Sequence, residues 1–267
     1  ENRALPEPGR GLVPFTPIML KGAGMTSYSR RDCLIGAGAM LAQTGTGHAR
    51  ALPSKRFLAG NDCPAFGDQQ NPIWPGTPPG GGGPFGAPHG SRHGAMTNIA
   101  VPMLSVYRPT RPNGAAMLVA AGGGYRHIQM GTEAAPAARW LKTIGVPAFV
   151  LAYRLPAEGW AAGVMAPFQD ARRAICVIRS QARTYDLDTS RIGMLGFSAG
   201  GHLLGMAATR PDWPPYPPVD AMDATSARSD LTMLIYPIIT LERPYADTTT
   251  RRVLIGDHPS QAQSAAW

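Results

Sequence analysis

Arg191-Ile192-Gly193-Met194-Leu195-Gly196-Phe197-Ser198-Ala199-Gly200-Gly201-His202 joins a short apolar run to a glycine-opened stretch, and its reading decides the fold. Residues 191–197 have the length and apolar content of a buried strand, and Gly200–Ala208 continues as a helix. Ser198 therefore sits where a strand turns sharply into a helix. Such a turn presents the hydroxyl at the strand end and sets it near the positive end of the helix, the placement that a serine nucleophile requires. Gly196 and Gly200 permit the close backbone approach that the turn demands. The pentapeptide alone is a weak signal; its position between strand and helix makes it a specific one.

A second glycine run lies about 75 residues upstream, where Ala120-Ala121-Gly122-Gly123-Gly124-Tyr125 ends another short apolar run, Ala115–Ala121. Successive glycines after a buried strand let backbone N–H groups face a substrate oxygen without side-chain interference, as an oxyanion hole needs. Gly123 and Gly124 are the expected donors from this run, and Ala199, directly after the serine, supplies the third. Tyr125, Arg126 and His127 follow at once and are the expected substrate contacts. A plain flexible connection accounts for neither the strand end nor the aromatic residue.

Around these two motifs, strand-like and helix-like blocks alternate. Ile99–Tyr107, Ala115–Ala121, Ala148–Tyr153, Arg191–Phe197 and Leu231–Ile239 read as strands, the first two as neighbours joined by a turn-rich connection. Glu133–Ile144 has Ala134, Ala138 and Leu141 on one helical face with Gly145 as stop, and Pro167–Ala182 spaces Phe168, Ala171, Ile175 and Ile178 likewise. The alternation predicts an α/β fold, a mostly parallel sheet with helices on both faces and ligand sites at the carboxyl ends of the strands.

Composition agrees with an enzyme domain more than with a nucleic-acid reader. Hydrophobic residues are 44% of the 267 and charged residues only 16%, enough apolar material for a sizeable core and unlike a disordered tail. The formal charge of +8 divides into +3 over residues 1–51 and +5 over the rest, scattered and without a recognition motif, so no nucleic-acid partner is expected. Cys33, Cys63 and Cys176 lack metal-ligand spacing. The 27 prolines and 32 glycines argue against a helical bundle, and six of each fall in 71–88, Asn71-Pro-Ile-Trp-Pro-Gly-Thr-Pro-Pro-Gly-Gly-Gly-Gly-Pro-Phe-Gly-Ala-Pro88. That segment is too rich in both for regular structure. It reads as a linker or as an arm over the domain, with Trp74 as its apolar anchor.

The beginning of the chain reads as an address. Arg30-Arg31 precedes a mildly apolar run, Cys33–Ala42, and a small-x-small pattern, Ala49-Arg50-Ala51. This resembles a twin-arginine export signal, too short to span a bilayer. It divides the chain into an upstream extension (1–24), a signal peptide (25–51), a Gly/Pro-rich arm (52–97) and the α/β domain (98–267). The expected partner of this segment is the twin-arginine export machinery; no stable membrane anchor is expected, and the location is periplasmic or extracellular. Cys63 and Cys176 could then oxidise, although their spacing does not show that they pair.

The ordered blocks Ile73-Trp74-Pro75-Gly76, Gly122–His127, Tyr153-Arg154-Leu155-Pro156, Asp170–Ala174, Asp188–Gly193 and Gly196–His202 together resemble the α/β-hydrolases, within them the secreted carbohydrate esterases of the acetyl-xylan type, often labelled xylanase. The resemblance covers residues 71–267. It implies a serine esterase whose substrate is a small-molecule or polysaccharide ester, chiefly an acetyl ester of carbohydrate, with Ser198 as nucleophile and no metal or organic cofactor. Ala121 stands where related esterases carry a histidine. Lactonase or peptidase chemistry on the same fold, and a non-catalytic exported carbohydrate-binding protein, are the other readings.

In this fold the triad acid and histidine follow the serine, after the strand that succeeds Leu231–Ile239. The expectation is therefore that neither lies in this chain, which would be an incomplete α/β-hydrolase lacking its last strands and inactive alone. Asp247, Asp257 and His258 are poor substitutes, and His202, on the helix that carries Ser198, is expected to face away from the pocket. Asp170 and Arg173 are expected to tie the second helix to its neighbours.

Overall fold

The apolar runs become strands of one mixed sheet. The computed structural model describes residues 67–213, 215–244 and 247–267. Its strands are β1 (Gln69–Pro72), β2 (His89–Gly90), β3 (Ala95–Thr97), β4 (Met103–Tyr107), β5 (Ala116–Ala120), β6 (Ile128–Gln129), β7 (Ala148–Ala152), β8 (Ile192–Phe197) and β9 (Thr232–Ile235). The α-helices are α1 (Ala135–Thr143), α2 (Ala166–Ser180), α3 (Ser198–Thr209), α4 (Thr249–Ile255) and α5 (Gln261–Ala265).

The main sheet has the order β1-β4-β7-β5-β8-β9, antiparallel at β1–β4–β7 and parallel from β7 through β9. A smaller antiparallel sheet joins β2, β3 and β6. Every residue of β5 and β7 is buried. Alternate strand residues point to opposite faces, so both faces of the sheet are covered there.

Two expectations are corrected. β4 and β5 are not neighbours, because β7 lies between them. A β5-α1-β7 crossover carries the chain back beside β5, and β7 closes the gap with β4 in antiparallel register, Leu104 opposite Leu151. Asn71 and Pro72, placed in a segment without regular structure, end strand β1. Pro72 is tolerated because β1 is the edge strand, where a missing N–H breaks no ladder.

Trp74 is buried as expected of an anchor, and its indole Nε1 donates to Asp170 Oδ1 at 2.8 Å. The same carboxylate receives the Nε of Arg154 at 2.9 Å, and both side chains of this ion pair are 0% exposed. Arg173 donates to the carbonyl of Ile73 at 2.8 Å and pairs with Asp220 and Asp223. Asp170 and Arg173 thus hold α2 to its surroundings through separate partners. Cys176 is a buried free thiol whose Sγ donates to the Thr225 carbonyl, and burial pushes its pKa up. Cys33, Cys63 and the expected signal peptide lie outside the described residues.

The helices follow the sequence pattern with shifted starts. A single π-helical turn, Met130–Ala134, leads into α1, whose Ala138 and Leu141 are buried, and Gly145 at φ +79° ends it. α3 begins at Ser198 itself. β9 is shorter than the apolar run around it because Tyr236 has φ +36° and leaves the strand. β9 lies at the end of the sheet, and Leu234 and Ile235 are partly exposed on it.

Candidate active site

Ser198 has φ +48°, a left-handed backbone conformation that is rare for a residue with a side chain and common at functional turns. The packing around it holds that conformation. A Cβ at Gly196 would lie 2.5 Å from the Gly200 oxygen, and one at Gly200 would lie 2.3 Å from the Ala120 oxygen. Only glycine fits at either place, so the elbow packs directly onto the end of β5.

β5 and β8 are adjacent and parallel, with Ala120 in register with Gly196, so their carboxyl ends emerge side by side. The glycine run therefore meets the serine. A Cβ at Gly122 would come within 2.7 Å of the Ser198 Cβ. Gly123 and Gly124 follow at φ +125° and +63°, and the Gly123 carbonyl accepts from the N–H of Arg126 at 3.1 Å in a tight turn. Their own N–H groups donate to no group among the described residues. Ala199 is the second residue of α3, so its N–H is one of the first-turn donors with no intrahelical acceptor. The structure brings Ser198, Gly123, Gly124 and Ala199 to one place, the shared end of β5 and β8.

The expected substrate contacts divide. Arg126 is exposed and His127 half-buried. His127 stays beside the glycine run, since its ring Cδ2 would be 2.8 Å from a Cβ at Gly123. The expectation for Tyr125 is corrected: its side chain is 0% exposed and cannot reach a substrate. Its φ of +59° turns the ring inward among Tyr153, Phe168 and His202. There its hydroxyl is 3.0 Å from His202 Nδ1.

His202 is buried, and burial, with the Arg210 charge adding, holds its pKa down to about 4. Its Nε2 has no partner among the described residues, and the ring sits in the core with Phe168 and Trp267. His258 and Asp247 are exposed, the latter paired with Arg252. Among the described residues no group of three His, Cys, Asp or Glu is placed to hold a metal ion, and no helix is long and apolar enough to cross a membrane.

Two residues that the sequence reading passes over also stand at this site. Glu133, in the π-helical turn, accepts the Gly122 N–H at 2.6 Å through Oε2, and the Tyr236 hydroxyl donates to its Oε1 at 3.0 Å. The one signal for Glu133 is a lone carboxylate eleven residues after Gly122 in an otherwise small and apolar stretch.

Comparison with known proteins agrees with this geometry. The BD-FAE family matches residues 104–224. An acetylxylan esterase of Xylanibacter ruminicola is 29% identical over 136 residues, covering 51% of this chain and 25% of that protein. An endo-1,4-beta-xylanase B of Butyrivibrio fibrisolvens is 33% identical over 147 residues, 55% of this chain and 23% of that protein. The chain thus spans about a quarter of the length of these curated relatives. The crystal structure of an acetyl ester-xyloside bifunctional hydrolase from Caldicellulosiruptor lactoaceticus is similar with a TM-score of 0.56 and 30% identity, covering 76% of this chain and 68% of that one. Sequence, sheet order and the serine elbow lead to one assignment: the chain belongs to the BD-FAE group of α/β-hydrolases.

Proposed function

We propose that the chain carries the nucleophile and oxyanion donors of a serine esterase that removes acyl groups, chiefly acetyl, from carbohydrate esters. The observation that carries this reading is Ser198 at φ +48° on the β8–α3 elbow, against the glycine run of β5. The acetylxylan esterase and the acetyl ester-xyloside hydrolase among the relatives support the substrate class.

In this reading Ser198 Oγ bonds to the acyl carbon while a base takes its proton, and the carbonyl electron pair moves onto oxygen. The base is not His202, which is buried and committed to Tyr125. The amides of Gly123, Gly124 and Ala199 receive the oxyanion, each such donor contributing about 100- to 1000-fold in kcat. The oxyanion re-forms the carbonyl, the bond to the alcohol breaks, and the alcohol leaves with the proton. Water then attacks the acyl-enzyme by the same steps in reverse order, releasing the carboxylic acid and restoring Ser198. Arg126, exposed, and His127, half-buried beside Gly123, are the proposed substrate contacts.

Export belongs to the same proposal. It is supported by Arg30-Arg31 before Cys33–Ala42 and by Ala49-Arg50-Ala51, and it gives a periplasmic or extracellular enzyme delivered by the twin-arginine machinery, its hydrolase domain extending from residues 98–267 back to include β1. The test is hydrolysis of p-nitrophenyl acetate and release of acetate from acetylated xylan by the full-length gene product and its Ser198→Ala variant. Loss of activity in the variant is expected; equal rates for the two would overturn the reading.

A further inference from the structure

Glu133 joins the loops on either side of Ser198. In the sheet, β8 lies between β5 and β9. One carboxylate oxygen of Glu133 holds Gly122, just past the end of β5, and the other holds Tyr236, just past the end of β9. The carboxylate therefore spans the strand that carries the nucleophile. The Tyr236 ring also lies 6.0 Å from that of Phe197, the residue before Ser198, so the far end of the span rests on the elbow itself.

The span has a consequence for the glycine run. Gly122 is held at both of its polar groups, its N–H by Glu133 at 2.6 Å and its carbonyl by the Gln129 N–H at 3.0 Å. The two peptide planes that flank Gly122 are thereby both pinned, and the second of them, the one that contains the Gly122 carbonyl, also carries the Gly123 N–H. Gly122 itself has no N–H left for a substrate oxygen, whereas those of Gly123 and Gly124 donate to no group among the described residues. Glycines at φ +125° and +63° have wide conformational freedom, and a run of three needs an outside restraint to keep a single arrangement. The surrounding backbone provides part of it, through the Arg126 N–H on the Gly123 carbonyl. Glu133 provides the part that reaches across to β9.

The geometry points to Glu133 as a positioning residue that, through Gly122 and Tyr236, fixes the Gly123 and Gly124 amides over Ser198. This rests on the esterase reading of the site. The role is one of hydrogen-bond geometry rather than charge, because a negative group next to a developing oxyanion contributes nothing favourable to it. A glutamine can do the same, its carbonyl accepting from Gly122 and its amide donating to the Tyr236 oxygen.

The test compares p-nitrophenyl acetate kinetics of the full-length protein with Glu133→Ala, Glu133→Gln, Tyr236→Phe, Ser198→Ala and the Glu133→Ala/Tyr236→Phe double variant, with thermal unfolding recorded for each. Expected are a kcat about 30- to 100-fold lower with KM within threefold for Glu133→Ala, in line with the loss of part of an oxyanion hole, and a kcat within threefold of wild type for Glu133→Gln. Tyr236→Phe loses about three- to tenfold alone and nothing further in the Glu133→Ala background, as coupled groups do. Wild-type kcat in Glu133→Ala, or equal impairment of the alanine and glutamine variants, would overturn the inference while an inactive Ser198→Ala leaves the esterase reading standing. A Ser198→Ala variant as active as wild type would overturn both. Should Glu133→Ala fail to fold, Tyr236→Phe decides: a lower kcat at constant KM supports the role, and an unchanged kcat overturns it.

Discussion

Gly122 and Ser198 come from strands more than 70 residues apart in sequence, yet the space between them is too small for a methyl group. A Cβ at Gly122 would stand 2.7 Å from the Ser198 Cβ and 2.9 Å from the Phe197 oxygen. Since the Ser198 conformation is fixed by the elbow, the glycine run must yield. Gly122→Ala is expected to lower kcat for acetyl-ester hydrolysis about 100-fold, the cost of roughly an ångström of misplacement at a reacting group. Circular dichroism should be unchanged, because the β5–β8 ladder ends at Ala120 and Gly196. Wild-type kinetics in this variant would show that the two loops are looser than their separation implies.

The Arg154–Asp170 pair makes a different kind of demand. Neither side chain has any exposure, and Asp170 also accepts from the Arg154 backbone N–H at 2.8 Å and from Trp74. Asp170→Ala leaves a guanidinium buried and unpaired, which costs about 3–5 kcal/mol of stability. Replacing both residues together, Arg154→Met with Asp170→Leu, should cost less than the single change, since no charge is stranded. Urea unfolding of the three proteins checks the order; a double variant weaker than the single would contradict it.

His202 ties stability to acid. The unfolded chain binds a proton at this histidine below about pH 6.5, whereas the folded chain binds it only below about 4. Between these values protons favour the unfolded chain, so this contribution is fully present above pH 6.5 and is lost as the pH falls toward 4. Its size is on the order of 3 kcal/mol. His202→Gln can still accept from Tyr125 and does not titrate, so its unfolding free energy should fall less than that of wild type between pH 7 and pH 4.5. Parallel losses in the two proteins would assign the acid sensitivity to other groups.

Much of this molecule is legible in its sequence because β5, β7 and β8 are buried on both faces and so read as unbroken apolar runs. The serine elbow and glycine run are legible for a related reason: backbone contacts of 2.3–2.7 Å to a would-be Cβ admit only glycine, and glycine is visible in a sequence. What escapes is set by contacts over long separations. β7 inserts between β4 and β5 without any mark in the segment that joins them. Tyr125 looks like a substrate contact until its positive φ turns it into the core. Glu133 binds a backbone N–H and a tyrosine 103 residues later, and neither contact leaves a periodic trace.

The strand order also sets a timetable for synthesis. β5 pairs only with β7 and β8, both of which follow it in the chain, so a ribosome that has reached Ala120 has made no parallel pair at all. Until then the nascent sheet can hold only β1 against β4 and β2 against β3, and the central strand waits with both edges open. The left-handed turn at Ser198 can be held only after β8 has docked on β5, since Gly200 rests on the carbonyls of Ala120 and Ala121. The nucleophile is thus assembled late, on a strand whose edge toward β7 is open until residue 152 has been made and whose edge toward β8 is open for the whole time that residues 121–191 are being made. That interval is when a chaperone would meet this protein in its most adhesive form.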